Sequence, residues 1–304
     1  MNAAPRWAPL EPVATAVALV TLHCSRWSLL PFLERQRDRQ LEAWGLKRFQ
    51  ARAQDGAKLD TAFLPAPPLE NPPASPRLPV LIAHGWWQVK ASMFAYAQLL
   101  RAQGHNCILP DLRAHGRSGG RYTTFGCRER EDLSTILDQA QAQGFLAPNT
   151  KVITLGLSLG AATVLQHAAM DNRVAAVVAL APYADMTSAV TAYTRLYGRG
   201  LNPAWVLRGF ARAAQRIGFT MEAASTLQAM PHITVPVLIA VGAQDRNLTK
   251  QDHAQKLQAA KTRGPCRLLE VPGATHFNIH HRTWPELTAA VQAFCAAAGE
   301  AQAP

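Results

Sequence analysis

The stretch Val152-Ile153-Thr154-Leu155-Gly156-Leu157-Ser158-Leu159-Gly160-Ala161-Ala162 constrains the fold of this chain more than any other. A continuous apolar run marks a strand buried on both faces, and the small residues after it suit a helix packed closely against that strand. Between them lies Gly-X-Ser-X-Gly. Glycines two residues either side of the serine remove the Cβ atoms that a sharp strand-to-helix reversal would bring into collision. A buried strand leading straight into a helix is the unit of a parallel sheet, so the unit is expected to recur.

Short apolar runs at 78–83, 107–110, 151–155, 174–180, 235–241 and 268–271 alternate with stretches of helical period at 92–103, 128–143, 159–170, 251–261 and 286–298. The pattern predicts an α/β fold, a mostly parallel, doubly wound sheet with helices on both faces. Earlier, residues 45–52 and 58–65 flank Asp55-Gly56, a dipeptide suited to a hairpin turn. Residues 65–79 hold seven prolines and should form a surface connection. Residues 183–231, too long for one crossover and enriched in arginine and aromatics, are expected as a helical cap inserted within a domain spanning 45–304. Residues 1–44 form a separate N-terminal segment.

The formal net charge of +11 raises the question of nucleic acid. The basic residues are mostly scattered arginines, with no Lys/Arg run interleaved with aromatics, and a nucleic-acid partner is not expected. One local asymmetry remains. No acid lies between Asp185 and Glu222, while Arg195, Arg199, Arg208, Arg212 and Arg216 all fall there. The last three share one face if the segment is helical. They read as a solvated face, or as a surface for anionic head groups or an anionic substrate.

Cys24, Cys107, Cys127, Cys266 and Cys295 are odd in number and lack a CxxC pair, which fits a reducing compartment rather than a disulfide framework or a structural zinc site. Cys107 and Cys266 sit in apolar runs and read as buried thiols. The apolar run 13–22 is shorter than the ~20 residues that span a bilayer. Joined to Trp27, Leu29, Leu30, Phe32 and Leu33, it reads as an anchor, a signal or a packed helix. The preferred reading is a cytoplasmic protein touching the inner face of the membrane through residues 1–33.

Ser158 is the candidate nucleophile, at the carboxyl end of its strand and the positive end of the following helix. A serine needs a base, and the base needs an orienting acid. The run 237–241 ends in Gly242-Ala243-Gln244-Asp245, and the run 268–271 leads into Pro272-Gly273-Ala274-Thr275-His276. Asp245 and His276 are therefore the candidate acid and base, with Asp185 the alternative acid. The Leu159 and Trp86 N–H groups are candidate oxyanion donors, and Gly85 is expected to let the loop before Trp86 turn tightly. His84 is expected to brace this loop. Trp87 and Tyr183 are candidate substrate contacts. His276, His280 and His281 lack a third ligand at suitable spacing, so neither metal nor cofactor is expected.

These residues resemble the α/β-hydrolase superfamily over roughly 45–298. Asp111-Leu112-Arg113-Ala114-His115-Gly116-Arg117-Ser118 is similar to the loop after that family's fourth strand, with Ala114 where glycine is usual, and it reads as a structural turn. Thr124-Phe125-Gly126-Cys127-Arg128-Glu129-Arg130-Glu131-Asp132-Leu133 and the run Gly156 to Leu165 are similar to a bacterial subgroup of Bem46-like and serine-aminopeptidase-like hydrolases. The resemblance implies an esterase-like serine hydrolase acting on a small-molecule acyl ester or thioester, and a membrane-associating N-terminus. Acyl transfer or peptide cleavage would use the same residues. A non-catalytic protein that binds a lipid or partner through the same fold is the rival class.

Overall fold

A computed structural model describes residues 42, 44–71, 77–281 and 284–301. The expectations for residues 1–41, including the membrane-touching segment and Cys24, lie outside these residues. Among the described residues, no helix is long and apolar enough to cross a membrane.

The strands are β1 (Lys47–Arg52), β2 (Lys58–Leu64), β3 (Val80–Ala83), β4 (Cys107–Pro110), β5 (Val152–Leu157), β6 (Val174–Leu180), β7 (Val237–Gly242) and β8 (Cys266–Val271). They form one sheet in the order β1-β2-β4-β3-β5-β6-β7-β8. β1 and β2 make the expected hairpin, β2 pairs antiparallel with β4, and every later pairing is parallel. The helices are α1 (Phe94–Arg101), α2 (Glu129–Ala142), α3 (Leu159–Ala168), α4 (Met186–Tyr197), α5 (Pro203–Ile217), α6 (Thr226–Ala229), α7 (Gln255–Ala260) and α8 (Pro285–Glu300).

Apolar runs without alternation become strands here because both faces of the sheet are covered. On one side Leu133, Ile136 and Leu137 of α2 and Val164 and Leu165 of α3 pack on Leu81, Val177 and Ile239. On the other, Tyr96 and Leu100 of α1 and Leu287 and Val291 of α8 pack on Ile82, Leu155 and Val178. Each such side chain, removed from water, contributes roughly 1.5–3 kcal/mol. β8, at the sheet's edge, is only partly covered. Cys266 is therefore half-buried rather than buried as its apolar run suggested, whereas Cys107 is fully buried.

Two helix starts differ from expectation. A 3-10 turn, Lys90–Met93, precedes α1 and a π turn, Lys250–Ala254, precedes α7. The first carries a buried lysine. Lys90 is 1% exposed, and its Nζ donates to Asp60 Oδ2 and to Asp111 Oδ2, each at 2.6 Å. Burial pulls the ammonium's pKa down, but the Asp111 and Asp60 carboxylates outweigh it and hold the pKa above its ordinary value.

The loop after β4 hangs on the same cluster. Asp111 accepts from the Lys90 and Arg117 backbone N–H groups at 2.8 and 3.0 Å. The Ser118 hydroxyl donates to Asp111 O at 2.6 Å and accepts from Asp60 N at 2.8 Å. Arg113 lays its fork on Asp132, with both contacts at 2.6 Å. Ala114 has φ 61, a left-handed value that accounts for glycine being usual there. This loop is structural, as its pattern implied.

Candidate active site

Ser158 sits between β5 and α3 with φ 51 and ψ −110, far from the regions that L-residues prefer. Strain of this kind costs roughly 1–3 kcal/mol and persists only where the surroundings impose it. Its N–H donates to Leu180 O of β6 at 2.8 Å. A Cβ on Gly156 would stand 2.3 Å from Gly160 O, and one on Gly160 would stand 2.3 Å from Ala83 O of β3. The reversal is thus possible only with glycine at both places.

His276 and Asp245 come to this serine from the ends of neighbouring strands. Ser158 Oγ lies 3.0 Å from His276 Nε2, and His276 Nδ1 lies 3.0 Å from Asp245 Oδ2. The Nδ1–H tautomer satisfies both contacts, donating to the carboxylate and accepting from the hydroxyl. Asp245 Oδ1 accepts from Asn247 N at 2.9 Å and Leu248 N at 2.8 Å, so the carboxylate cannot rotate freely. Gln244 N donates to Ala274 O at 2.8 Å, which ties the aspartate's loop to the histidine's. Asp185, the alternative acid, is occupied elsewhere. It caps α4, accepting from Ser188 N at 2.8 Å and the Ser188 hydroxyl at 2.7 Å.

The two candidate oxyanion donors lie in walls of one cavity with Ser158. Leu159 begins α3, where an N–H has no partner within the helix. Trp86 lies in the loop after β3, where Gln88 N donates to Gly85 O at 3.2 Å and closes a turn. Its left-handed residue is Trp87, with φ 58.

Two buried histidines brace the loop. His84 Nδ1 donates to Gly85 O at 2.8 Å and its Nε2 accepts from Leu112 N at 3.0 Å. His115 Nδ1 donates to Arg113 O at 2.8 Å and its Nε2 accepts from Trp87 N at 3.3 Å. Both rings must be neutral to accept.

Burial lowers the pKa of His84 from 6.5 to about 3. It lowers that of His253, which accepts from Ala184 N at 3.1 Å, to about 4. Below pH 6.5 the unfolded chain takes up protons that these two folded sites refuse. Stability present at neutral pH is therefore lost as pH falls from 6.5 toward about 4. Between pH 7 and 5.5 each site should contribute a loss of about 1 kcal/mol, read from urea midpoints. An unchanged midpoint over that range would contradict it.

The cavity, about 570 Å³, is apolar and largely aromatic. Trp86, Trp87 and Tyr183 line it, and so do Phe125, Tyr193, Phe210 and Phe277, which sequence reasoning did not single out. Met186, Val190 and Tyr197 of α4 and Val206 of α5 complete much of the wall. The Tyr193 ring stands edge-on to His276 at 6.3 Å. Asn247, whose N–H holds Asp245, donates through Nδ2 to the Tyr197 hydroxyl at 3.0 Å.

Phe125 is positioned with particular care. It has φ 53, and its carbonyl accepts from the Tyr183 hydroxyl at 2.5 Å. The buried Glu129 carboxylate gathers the loop around it, accepting from the Thr123 hydroxyl at 2.9 Å, Thr124 N at 2.7 Å, the Thr124 hydroxyl at 2.6 Å and Gly126 N at 2.9 Å. The Thr-Phe-Gly spacing ahead of Glu129 was the available signal. Among the described residues, no group of three or more His, Cys, Asp or Glu is placed to hold a metal ion.

A parallel sheet entered by an antiparallel hairpin, with a serine on a strained turn after its fifth strand, defines a broad class. Residues 80–291 match the Alpha/beta hydrolase family, and the chain belongs to it. Over 205 residues it is 26% identical to the uncharacterized protein YqkD of Bacillus subtilis, covering 65% of this chain and 64% of that one. The chain thus spans slightly under two thirds of that relative's length. The solved Pyrococcus furiosus esterase Pf2001 superposes with a TM-score of 0.67 at 18% identity, covering 85% of this chain and 94% of that one. Est1E from Butyrivibrio proteoclasticus, solved with ferulic acid bound, does so with a TM-score of 0.62 at 23% identity, covering 84% and 100%.

Proposed function

We propose that the protein is a serine hydrolase that cleaves carboxylic esters or thioesters through an acyl-enzyme on Ser158. The observation that carries this reading is the relay of two 3.0 Å contacts from Ser158 through His276 to Asp245, at the wall of an apolar cavity. A serine hydroxyl is a poor nucleophile until a base removes its proton as the new C–O bond forms. His276 Nε2 is placed to take that proton, and Asp245 steadies the imidazolium that results. The carbonyl oxygen, now anionic, would be held by the Leu159 and Trp86 N–H groups. His276 returns its proton to the departing alcohol or thiol. Water then attacks the acyl-enzyme, gives its proton to His276, and releases the acid with Ser158 restored.

The aromatic lining favours an uncharged acyl or aromatic group. Ferulic acid, bound by Est1E, is an aromatic carboxylic acid of a kind this lining would also accept. Residues 183–231 act as the cap that shapes the pocket.

A fluorophosphonate probe tests the reading directly. The folded protein should label at one site, and Ser158→Ala should not label. A folded wild-type protein that resists the probe, or a variant that labels equally, removes the hydrolase reading and leaves the binding-protein class.

A further inference from the structure

Six large apolar side chains stand exposed among the described residues: Trp87, Met170, Leu196, Tyr197, Leu201 and Phe277. Their placement is not random. Trp87, Tyr197, Leu201 and Phe277, each at least half exposed, also line the cavity that holds Ser158, so they form the rim of its mouth. Leu196 adjoins Tyr197. Phe277 follows His276, with the two rings 5.6 Å apart, so the apolar rim reaches the relay itself. Isolated exposed apolar residues are ordinary on a soluble protein, but a ring of them around one opening marks a contact surface.

The charge along the α4–α5 part of this rim is of one sign. The tip between α4 and α5 runs Arg195-Leu196-Tyr197-Gly198-Arg199-Gly200-Leu201, and its arginines and apolar residues are all exposed. Arg208 and Arg216 continue the exposed positive charge along α5, and no carboxylate occurs from residue 186 to 221. Aromatic and aliphatic side chains interleaved with arginine suit the boundary between acyl chains and anionic head groups. A protein seated on this rim would plug the cavity, whereas a lipid surface would feed it.

We propose that the α4–α5 tip, with Trp87 and Phe277 of the same rim, docks the protein on an anionic lipid surface, so that the cavity receives esters carried in that surface. The docking stands on the rim alone. The substrate class rests on the hydrolase reading above.

The test uses the full chain. Wild type and the triple variant Arg195→Glu/Leu196→Ser/Arg199→Glu are mixed with vesicles of phosphatidylcholine alone or with added phosphatidylglycerol, and co-sedimentation is measured at low and high salt. None of the three substituted residues lines the cavity, so hydrolysis of a short water-soluble ester should match wild type and report a folded site. Wild type should bind the phosphatidylglycerol vesicles and be released by salt. The variant should bind them at least about tenfold more weakly. It should also lose activity on a long-chain ester presented in those vesicles.

Equal binding by the variant, which would assign attachment to the N-terminal segment, overturns the proposal. So does failure of the wild type to bind, or a tip-dependent dimer in its place. Vesicle binding that is tip-dependent in a protein inert to the fluorophosphonate probe would sustain the docking surface and remove the hydrolase.

Discussion

Ser158→Ala is expected to lower kcat on a p-nitrophenyl ester by roughly a millionfold. On the proposed mechanism the acyl-enzyme route disappears with the hydroxyl, leaving only the smaller effect of binding and of the proposed Leu159 and Trp86 donors. Asp245→Asn should cost roughly ten-thousandfold. Its amide can donate to His276 Nδ1, which turns the imidazole to the tautomer that cannot accept the serine's proton. The losses should not add, because the residues act on one proton transfer. A Ser158→Ala/His276→Ala double variant should therefore be no slower than Ser158→Ala alone. Multiplying losses, or a Ser158→Ala variant retaining a sizeable share of the wild-type rate, would mean that another nucleophile carries the reaction.

Lys90→Met should lower unfolding stability by roughly 3–5 kcal/mol, because it takes the close cation from buried Asp111 and leaves Asp60 with Arg48 at 3.9 Å. Asp60 and Asp111 each give Lys90 a contact of 2.6 Å, and they come from β2 and from the loop after β4. The loss should appear as a lower urea midpoint at constant slope. Adding Asp60→Asn to Lys90→Met should restore part of the stability, since Asp60 then no longer leans on Arg48 Nη1, 3.9 Å away, for a countercharge. A loss under about 1 kcal/mol would show that water reaches these groups after substitution. The effect should extend to ester hydrolysis, because Lys90 lies two residues beyond Gln88, whose side chain accepts from Gly85 N at 3.1 Å in the Trp86 loop.

Much of the architecture was legible because strands covered on both faces announce themselves as unbroken apolar runs. β4 and β6 match the runs that named them. That Ser158, Asp245 and His276 would meet was legible for a related reason: each follows such a run, and a parallel sheet delivers the ends of its strands to one edge. Other features depend on partners far away in the chain. Lys90 reads as an ordinary surface lysine until residues 30 and 21 positions distant surround it. Phe125 gives no sign of its left-handed backbone, because the glycine beside it draws attention and its carbonyl is held by Tyr183, 58 positions on. Likewise Trp87 does not announce its positive φ, in a turn where its N–H donates to His115 of another loop. Periodicity reports what one element does with its own faces, and these three features come from side chains crossing between elements.

The link from Asn247 to Tyr197 has a mechanical consequence. One residue fastens the acid of the relay through its backbone and the roof of the cavity through its side chain. Helix α4 cannot swing away as a rigid flap without pulling on the same loop that orients Asp245. Tyr197 is itself one of the exposed rim side chains, so a guest that pushes it aside breaks its bond to Asn247 beside the loop that holds Asp245. Widening the mouth on that side and keeping the carboxylate still draw on the same residue.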